Sequence, residues 1–113
     1  MVKRKISECK PYAAAGHFAM TAMRLHGKEE SGSQKFWMGL SHFLPGGGAE
    51  YDEGPTEKVY FVLEGEIVVT DAEGNKITVS KNESIHIGPK EGRSILNESN
   101  MPASMLVVIN YLD

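Results

Sequence analysis

The chain has 113 residues, of which 41% are hydrophobic and 24% are charged, with a formal net charge of −3. This balance is typical of a soluble globular protein and gives no reason to expect binding to nucleic acid or to an anionic membrane. The single cysteine, Cys9, excludes an intrachain disulfide and a thiolate metal cluster. No stretch approaches the roughly 20 apolar residues of a membrane helix, and the polar N-terminus lacks a signal-peptide pattern, so we predict a cytoplasmic protein.

Short apolar runs alternate with turn signals along the whole chain. In order, the runs are "FAMTAMRL", "KFWMGLSHFL", "KVYFVL", "IVVT", "ITVS" and "MLVVINYL". The segments between them are rich in Gly, Pro, Asn and Ser, such as "HGKEESGSQ", "PGGGAEYDEGPTE", "DAEGNK", "GPKEGR" and "NESNMPAS". Runs of this kind are typical of strands, and many short strands at close spacing predict an all-β sandwich or small barrel.

Residues 13–25 are the one helix candidate, because they are rich in Ala and Met. We predict a strand there instead, since the Gly/Ser-rich segment that follows suits a hairpin with "KFWMGLSHFL". The sequence therefore predicts a single domain over residues 1–113, with no substantial helix. Residues 1–12 are an N-terminal extension or the first strand.

The predicted strand "KVYFVL" is mostly apolar on both faces. Alternate strand residues point to opposite sides, so Lys58, Tyr60 and Val62 share one face and the residues between them share the other. In the later strand, Arg93 shares its face with Ile95 by the same rule. One face of "KVYFVL" should line the barrel. The other needs cover from a strand or a second subunit, so we predict a homodimer.

The order "LPGGG…EKVYFVLEGEIVV…ITVSKNESIHIGPKEGRSILN", within residues 36–110, resembles the cupin family. Cupins are small jelly-roll β-barrels of two antiparallel sheets, and the resemblance implies that fold for this chain. Asn82 replaces the first glycine of the second cupin motif, where asparagine tolerates the left-handed conformation. The family binds a metal through histidines and a glutamate. The aligned positions here hold Asp52, Gly54, Lys58 and Arg93.

Lys58 and Arg93 change the chemistry that the resemblance implies. A divalent metal between them would be repelled, and neither side chain is a normal metal ligand. The planar fork of arginine matches a carboxylate or phosphate, and lysine adds a point charge. We therefore predict no metal here and a small anionic ligand, carboxylate-bearing, held by both cations. The alternative is a structural ion-pair network with Glu53, Glu57 or Glu91.

Other side chains are candidates for the same site. One group consists of three aromatic residues, Trp37, Tyr51 and Tyr60. These residues could form a wall for the ligand, or they could serve only as core or interface residues. In an enzyme a cation would stabilise an enolate and a carboxylate or histidine would move the proton. The catalytic candidates are Lys58, Glu53 and Glu57. A relocated divalent metal site would draw on these glutamates and on a histidine: His17, His42 or His86.

Several functions are compatible with this pattern, because the fold alone does not select one. The first is a metal-independent isomerase, lyase or cyclase that acts on a small organic acid. The second is a non-catalytic binding or sensing module, and the third is a structural dimer with a vestigial pocket. A metal-dependent enzyme with a relocated site is a fourth. A base that converges on the cations would favour the enzyme, and a pocket filled by Tyr60 or Met side chains would favour the structural dimer.

Overall fold

Nine β-strands dominate the part of the chain that the computed structural model describes, residues 1–112. They are β1 (Pro11–Tyr12), β2 (His17–His26), β3 (Phe36–Glu53), β4 (Lys58–Glu64), β5 (Glu66–Asp71), β6 (Lys76–Ser80), β7 (Ser84–Ile87), β8 (Gly92–Leu96) and β9 (Ala103–Asn110). The helical pieces are a 3-10 turn at Ile6–Glu8 and the one-turn helix α1 at Lys28–Ser31. Within this part of the chain, none of the helices has the length and apolar character needed to cross a membrane.

The strands form a nearly closed barrel, and the predicted all-β jelly roll is confirmed. The hydrogen-bonded order is β6-β5-β8-β3-β9-β4-β7, with β2 attached to β3 and β1 to β2. β6 and β7, the two ends of this order, also pack against each other. Closure of this kind removes most of the free strand edge that an open sheet would present.

The hairpin predicted between residues 13–25 and "KFWMGLSHFL" is confirmed. β2 pairs antiparallel with β3, and Thr21 stands opposite His42. The connection contains α1, a single helical turn that the sequence did not indicate. β1 extends the same sheet, with Tyr12 opposite Ala22. The segment before the hairpin is therefore part of the barrel wall.

The "PGGG" segment is not the turn that its composition predicts. β3 continues through it, pairing with β9 before the glycines and with β8 from Gly48 onward. A Cβ on Gly47 would lie 2.1 Å from the carbonyl oxygen of Ala19, and one on Gly48 would lie 2.0 Å from that of Ile95. Side chains cannot approach a backbone so closely, so these glycines allow the neighbouring strands to pack against β3.

The inner face of β4 agrees with the predicted alternation. Lys58, Tyr60 and Val62 are buried, whereas Val59 and Phe61 on the outer face are 39% and 36% exposed. The buried apolar residues of β3, β4, β5, β8 and β9 form one core, which includes Phe43, Val62, Ile67, Ile95 and Met105. The exposed apolar residues on the outer face of β4 are consistent with the predicted homodimer, which stays a prediction.

Asn97 joins three parts of the chain at one end of the core. Its side chain is fully buried, and its Nδ2 donates to the carbonyl oxygens of Phe43, Leu44 and Met101 at 3.4, 3.3 and 2.8 Å. Its Oδ1 accepts hydrogen bonds from the amide and the hydroxyl of Ser99, at 3.1 and 2.7 Å. One amide thus satisfies polar groups of β3 and of the loop before β9.

Candidate functional site

β4 and β8 carry two cations and a tyrosine into the barrel. Lys58, Tyr60 and Arg93 are only 5%, 2% and 7% exposed. Lys58 and Tyr60 are two residues apart in β4, so both point to the inner face. Arg93 stands opposite Asp52 in the pairing of β8 with β3. The strand alternation therefore places both predicted cations inside the molecule.

Arg93 is held in place by two hydrogen bonds. Its Nε donates to the Tyr60 hydroxyl at 2.9 Å, and its Nη1 donates to the carbonyl oxygen of Glu50 at 3.1 Å. Burial raises the pKa of Tyr60, while the neighbouring Arg93 charge acts in the opposite direction. The phenol stays neutral and can accept from the guanidinium. Among the described residues Arg93 makes no other hydrogen bond, so its Nη2 amino group is available to a ligand.

Lys58 lies near Arg93 without a counter-ion. Burial and, to a smaller extent, the Arg93 charge lower the pKa of Lys58, and Asp52 raises it. In residues 1–112 the ion pairs shorter than 4.0 Å involve neither cation. A buried cation without a partner is costly to a folded protein.

The glutamates proposed for a structural ion-pair network have other partners. Glu57 pairs with His86 at 2.6 Å, Glu53 accepts from the Tyr51 hydroxyl at 2.8 Å, and Glu91 accepts from the Gly88 amide at 2.7 Å. The structure therefore does not support that network. The two cations face the barrel interior with their charge uncompensated by a contacting carboxylate.

A cavity of about 400 Å³ lies inside the barrel, within the size range of small-molecule sites. Trp37, Tyr60 and Arg93, three of the predicted ligand-binding residues, are among the residues that line it. Apolar residues of β8 and β9 complete much of its surface, among them Ile95, Met105 and Val107. No Asp or Glu of the described chain is among its lining residues. Tyr60 and Met105 leave this space open, which argues against a filled, vestigial pocket.

Three predicted site residues stand away from this cavity. Tyr51 and Glu53 are exposed and bond to each other, and Tyr51 borders a separate small cleft together with Asp52 and Arg93. Glu57 precedes β4 on the outer face, where its carboxylate contacts His86. Glu53 and Glu57 do not line this cavity, and their catalytic roles stay predictions. Lys58 is also not among the lining residues of this cavity.

The cavity wall includes two residues that the sequence analysis did not single out, Tyr12 and Arg24. The Arg24 guanidinium carbon lies 4.9 Å from the Tyr12 ring centroid and 4.6 Å from that of Trp37. Burial raises the pKa of Tyr12, and Arg24 partly offsets this effect. The strand alternation contained a signal for Arg24, because it lies two residues after the buried Ala22 and so shares its face.

A smaller cleft of about 260 Å³ lies at the mouth of the barrel. Glu50, Tyr51 and Asp52 border it, together with His17 and Arg93, which also line the main cavity. His17 Nδ1 lies 2.8 Å from the Ala15 carbonyl oxygen. Because a carbonyl can only accept, Nδ1 carries the proton in the neutral ring, and Nε2 has the lone pair of a base.

The histidines do not gather into a relocated metal site. His42 bonds to the Ser104 hydroxyl at 2.9 Å and His86 to Glu57, while His17 lies at the barrel mouth. Within residues 1–112, no three His, Cys, Asp or Glu side chains converge to hold a metal ion. At the positions that align with cupin metal ligands, the buried cations Lys58 and Arg93 do not fit a divalent metal.

Comparison with known proteins identifies a family and one curated relative. The cupin domain family matches residues 39–109. A protein of Mycobacterium tuberculosis named beta-D-galactosidase is 38% identical over 107 residues, which are 95% of this chain and 91% of that protein.

Solved structures with the same fold come from proteins with several activities. A polyketide cyclase from Streptomyces resistomycificus has a TM-score of 0.86 at 21% identity, over 97% of this chain and 80% of its own. A predicted oxalate decarboxylase from Thermotoga maritima has a TM-score of 0.82 at 21% identity, over 98% of this chain and 100% of its own. A sugar phosphate isomerase from Silicibacter pomeroyi has a TM-score of 0.80 at 18% identity, over 98% of this chain and 76% of its own. At these identities the likeness concerns the fold.

Proposed function

This chain belongs to the cupin family, and from that premise we propose that its barrel binds a small organic molecule through a carboxylate group. The observation that carries the proposal is the pair of buried cations without a contacting carboxylate. Arg93 lines a cavity of about 400 Å³ and has no partner for its Nη2 group among residues 1–112, and Lys58 is a second buried cation near it. A ligand carboxylate would supply the counter-charge that the protein itself lacks.

A reaction of the bound acid would need a group that moves a proton. His17 is the best-placed candidate, because its Nε2 is free and it shares the cavity wall with Arg93. An isomerase, lyase or cyclase on this scaffold would use His17 as the base, with the two cations stabilising the negative charge that develops. If acids bind but none is converted, the protein is a binding or sensing module.

Loss of the Arg93 guanidinium is expected to weaken acid binding about ten- to hundredfold. The reason is the loss of a charge-assisted hydrogen bond, worth about 1.5–3 kcal/mol. Lys58→Ala should weaken binding less, because lysine lacks the planar fork and does not line the cavity. The measurement is a thermal-shift screen of small carboxylic acids against their neutral amides, followed by calorimetric titration of the best acid.

Two further variants keep this test decisive. Arg93→Lys preserves the charge without the fork and should fall between wild type and Arg93→Ala. Lys76→Ala removes an exposed lysine that pairs with Glu98, and it should bind acids as wild type does. Equal stabilisation by acids and amides, or full binding by both Arg93 variants, would refute the proposal.

Hydrolysis of a β-galactoside is the second candidate function. Its support is the 38% identity to the mycobacterial β-D-galactosidase, together with the two carboxylates at the barrel mouth, Glu50 and Asp52. Glycoside hydrolysis commonly uses a pair of carboxyl groups on either side of the scissile bond. Such a reaction would take place in the mouth cleft, since the described lining of the main cavity contains no carboxylate.

This second candidate predicts that the protein releases nitrophenol from a nitrophenyl β-D-galactopyranoside. Asp52→Asn and Glu50→Gln should each lower the rate by about 10²–10⁴, the usual contribution of a catalytic acid or base. Glu66→Gln, which changes an exposed carboxylate on β5, is the matched control. Absence of turnover by the wild-type protein, or unchanged rates in both variants, would reject hydrolysis here.

A further inference from the structure

Arg24 is a second guanidinium on the wall of the cavity that Arg93 lines. It reaches the cavity from β2, whereas Arg93 comes from β8, so the two cations approach the space from different strands. The rings of Tyr12 and Trp37 lie against the Arg24 guanidinium at 4.9 and 4.6 Å. Aromatic packing of this kind holds a guanidinium in place while its edge N–H groups stay free to donate.

The hydrogen-bonding state of Arg24 indicates a missing partner. Its Nε is buried and has no hydrogen-bond partner among the described residues. Glu30 is the nearby acid, and its own buried Oε1 is also without a partner, so the two side chains do not form an ion pair in residues 1–112. Buried donors are almost always satisfied in folded proteins, so the Arg24 guanidinium retains hydrogen-bonding capacity that the described protein atoms do not use.

The charges around Arg24 differ between the two spaces that it borders. The outer cleft of about 390 Å³ has a balanced set of charges: Arg4, Lys10 and Arg24 with Glu8, Glu29 and Glu30. The barrel cavity has Arg24 and Arg93 and, in the described chain, no lining carboxylate. An anion therefore gains more from the cavity side of Arg24 than from the outer side.

We infer that Arg24 is a second anion anchor and that the cavity selects an unbranched dicarboxylate over a monocarboxylate. One carboxylate binds Arg93, as in the proposed function on which this inference rests, and the other binds Arg24. The carbon chain between them packs against Trp37 and the apolar wall of β9. Two guanidinium groups in one cavity without a lining acid match two carboxylates, so that each guanidinium would gain a counter-charge.

The test is calorimetric titration with α,ω-dicarboxylates of increasing chain length, each compared with its monoamide. In the wild-type protein, the best diacid should bind at least tenfold more tightly than its monoamide. In Arg24→Gln this preference should disappear, while the monoamide binds within about threefold of its wild-type affinity. In Arg93→Ala both ligands should lose affinity, because the shared anchor is gone.

Two additional variants separate ligand binding from a structural role of Arg24. Arg24→Lys keeps the charge and should retain part of the diacid preference, even if Arg24→Gln proves too unstable to measure. Glu30→Gln should leave the preference within about threefold of wild type. It would remove the preference only if Glu30 positioned the guanidinium.

The possible results distinguish this inference from the proposed function. The second anchor alone is overturned if monoacids bind tightly and no diacid binds more tightly than its monoamide. It is also overturned if the higher affinity for the diacid survives in both Arg24 variants. Failure of every acid to bind overturns the proposed function and this inference with it. A diacid gain that requires both Arg24 and Arg93 supports the two together.

Discussion

Lys58→Met should make the unliganded protein more stable while it weakens acid binding. Lys58 is buried beside Arg93 without a contacting counter-ion, so its charge opposes folding at neutral pH. Replacement of buried charges by apolar residues of similar volume is often stabilising by about 1–4 kcal/mol. A residue that lowers stability but improves binding is the pattern expected of a functional site.

The pH dependence of this effect has a definite sign. The folded-state pKa of Lys58 lies below its ordinary value of 10.5, because burial and Arg93 disfavour the charged form. Between the lowered pKa and 10.5 the unfolded chain binds more protons than the folded chain, so wild-type stability gains from Lys58 as the pH rises. The advantage of Lys58→Met should therefore be largest at neutral pH and shrink toward pH 10.5.

The measurement is denaturant unfolding of wild type and variant at several pH values, compared as a difference so that other titrating groups cancel. Lys81→Met is the matched control, because Lys81 is exposed and pairs with Glu64 at 3.0 Å on the surface. That control should change the free energy of unfolding by no more than about 0.5 kcal/mol. A destabilised Lys58→Met, or an advantage that grows with pH, would show that the lysine charge does not oppose folding.

Asn97→Ala should destabilise the protein by about 2–4 kcal/mol, since it removes a fully buried side chain and leaves its partners unsatisfied. The carbonyl oxygens of Phe43, Leu44 and Met101 would lose a donor, and the Ser99 amide would lose its acceptor. Thermal unfolding should show the loss as a fall in Tm of about ten degrees or more.

Ser99→Ala provides the comparison for Asn97. It removes the hydroxyl that donates to Asn97 Oδ1 at 2.7 Å but leaves the three carbonyl contacts in place. Its expected cost is about 1 kcal/mol. Equal losses in the two variants would mean that the carbonyl contacts of Asn97 contribute little. An Asn97→Ala protein as stable as wild type would refute the role of this network.

Strand alternation and turn preferences predicted the fold, because both depend on residues that are close together in the sequence. Alternation along β4 predicted that Lys58 and Tyr60 lie inside the barrel, and both are buried. Asn82 was predicted to tolerate a left-handed backbone conformation, and its φ angle is 67°. The same alternation places Glu57 on the outer face with Val59, away from the inner face that carries Lys58 and Tyr60.

The site was harder to predict, because its wall is assembled across distant segments. Tyr12 and Arg24 lie outside the region that carries the family motifs, and their contact with Trp37 depends on how β1 and β2 pack against β3. The turn predicted at the "PGGG" segment was wrong for a related reason. Glycine is required equally by a chain reversal and by a close approach of two backbones, and sequence composition does not separate the two.

The course of β3 has a consequence for how the protein folds. This strand pairs with β2, β8 and β9, whose residues lie between His17 and Asn110. Most of its pairings with β8 and β9 therefore require the closure of long loops before they contribute stability. Chains dominated by such non-local contacts fold in milliseconds to seconds rather than microseconds. Because β3 is completed by strands from both ends of the chain, its amide protons should exchange mainly through global unfolding.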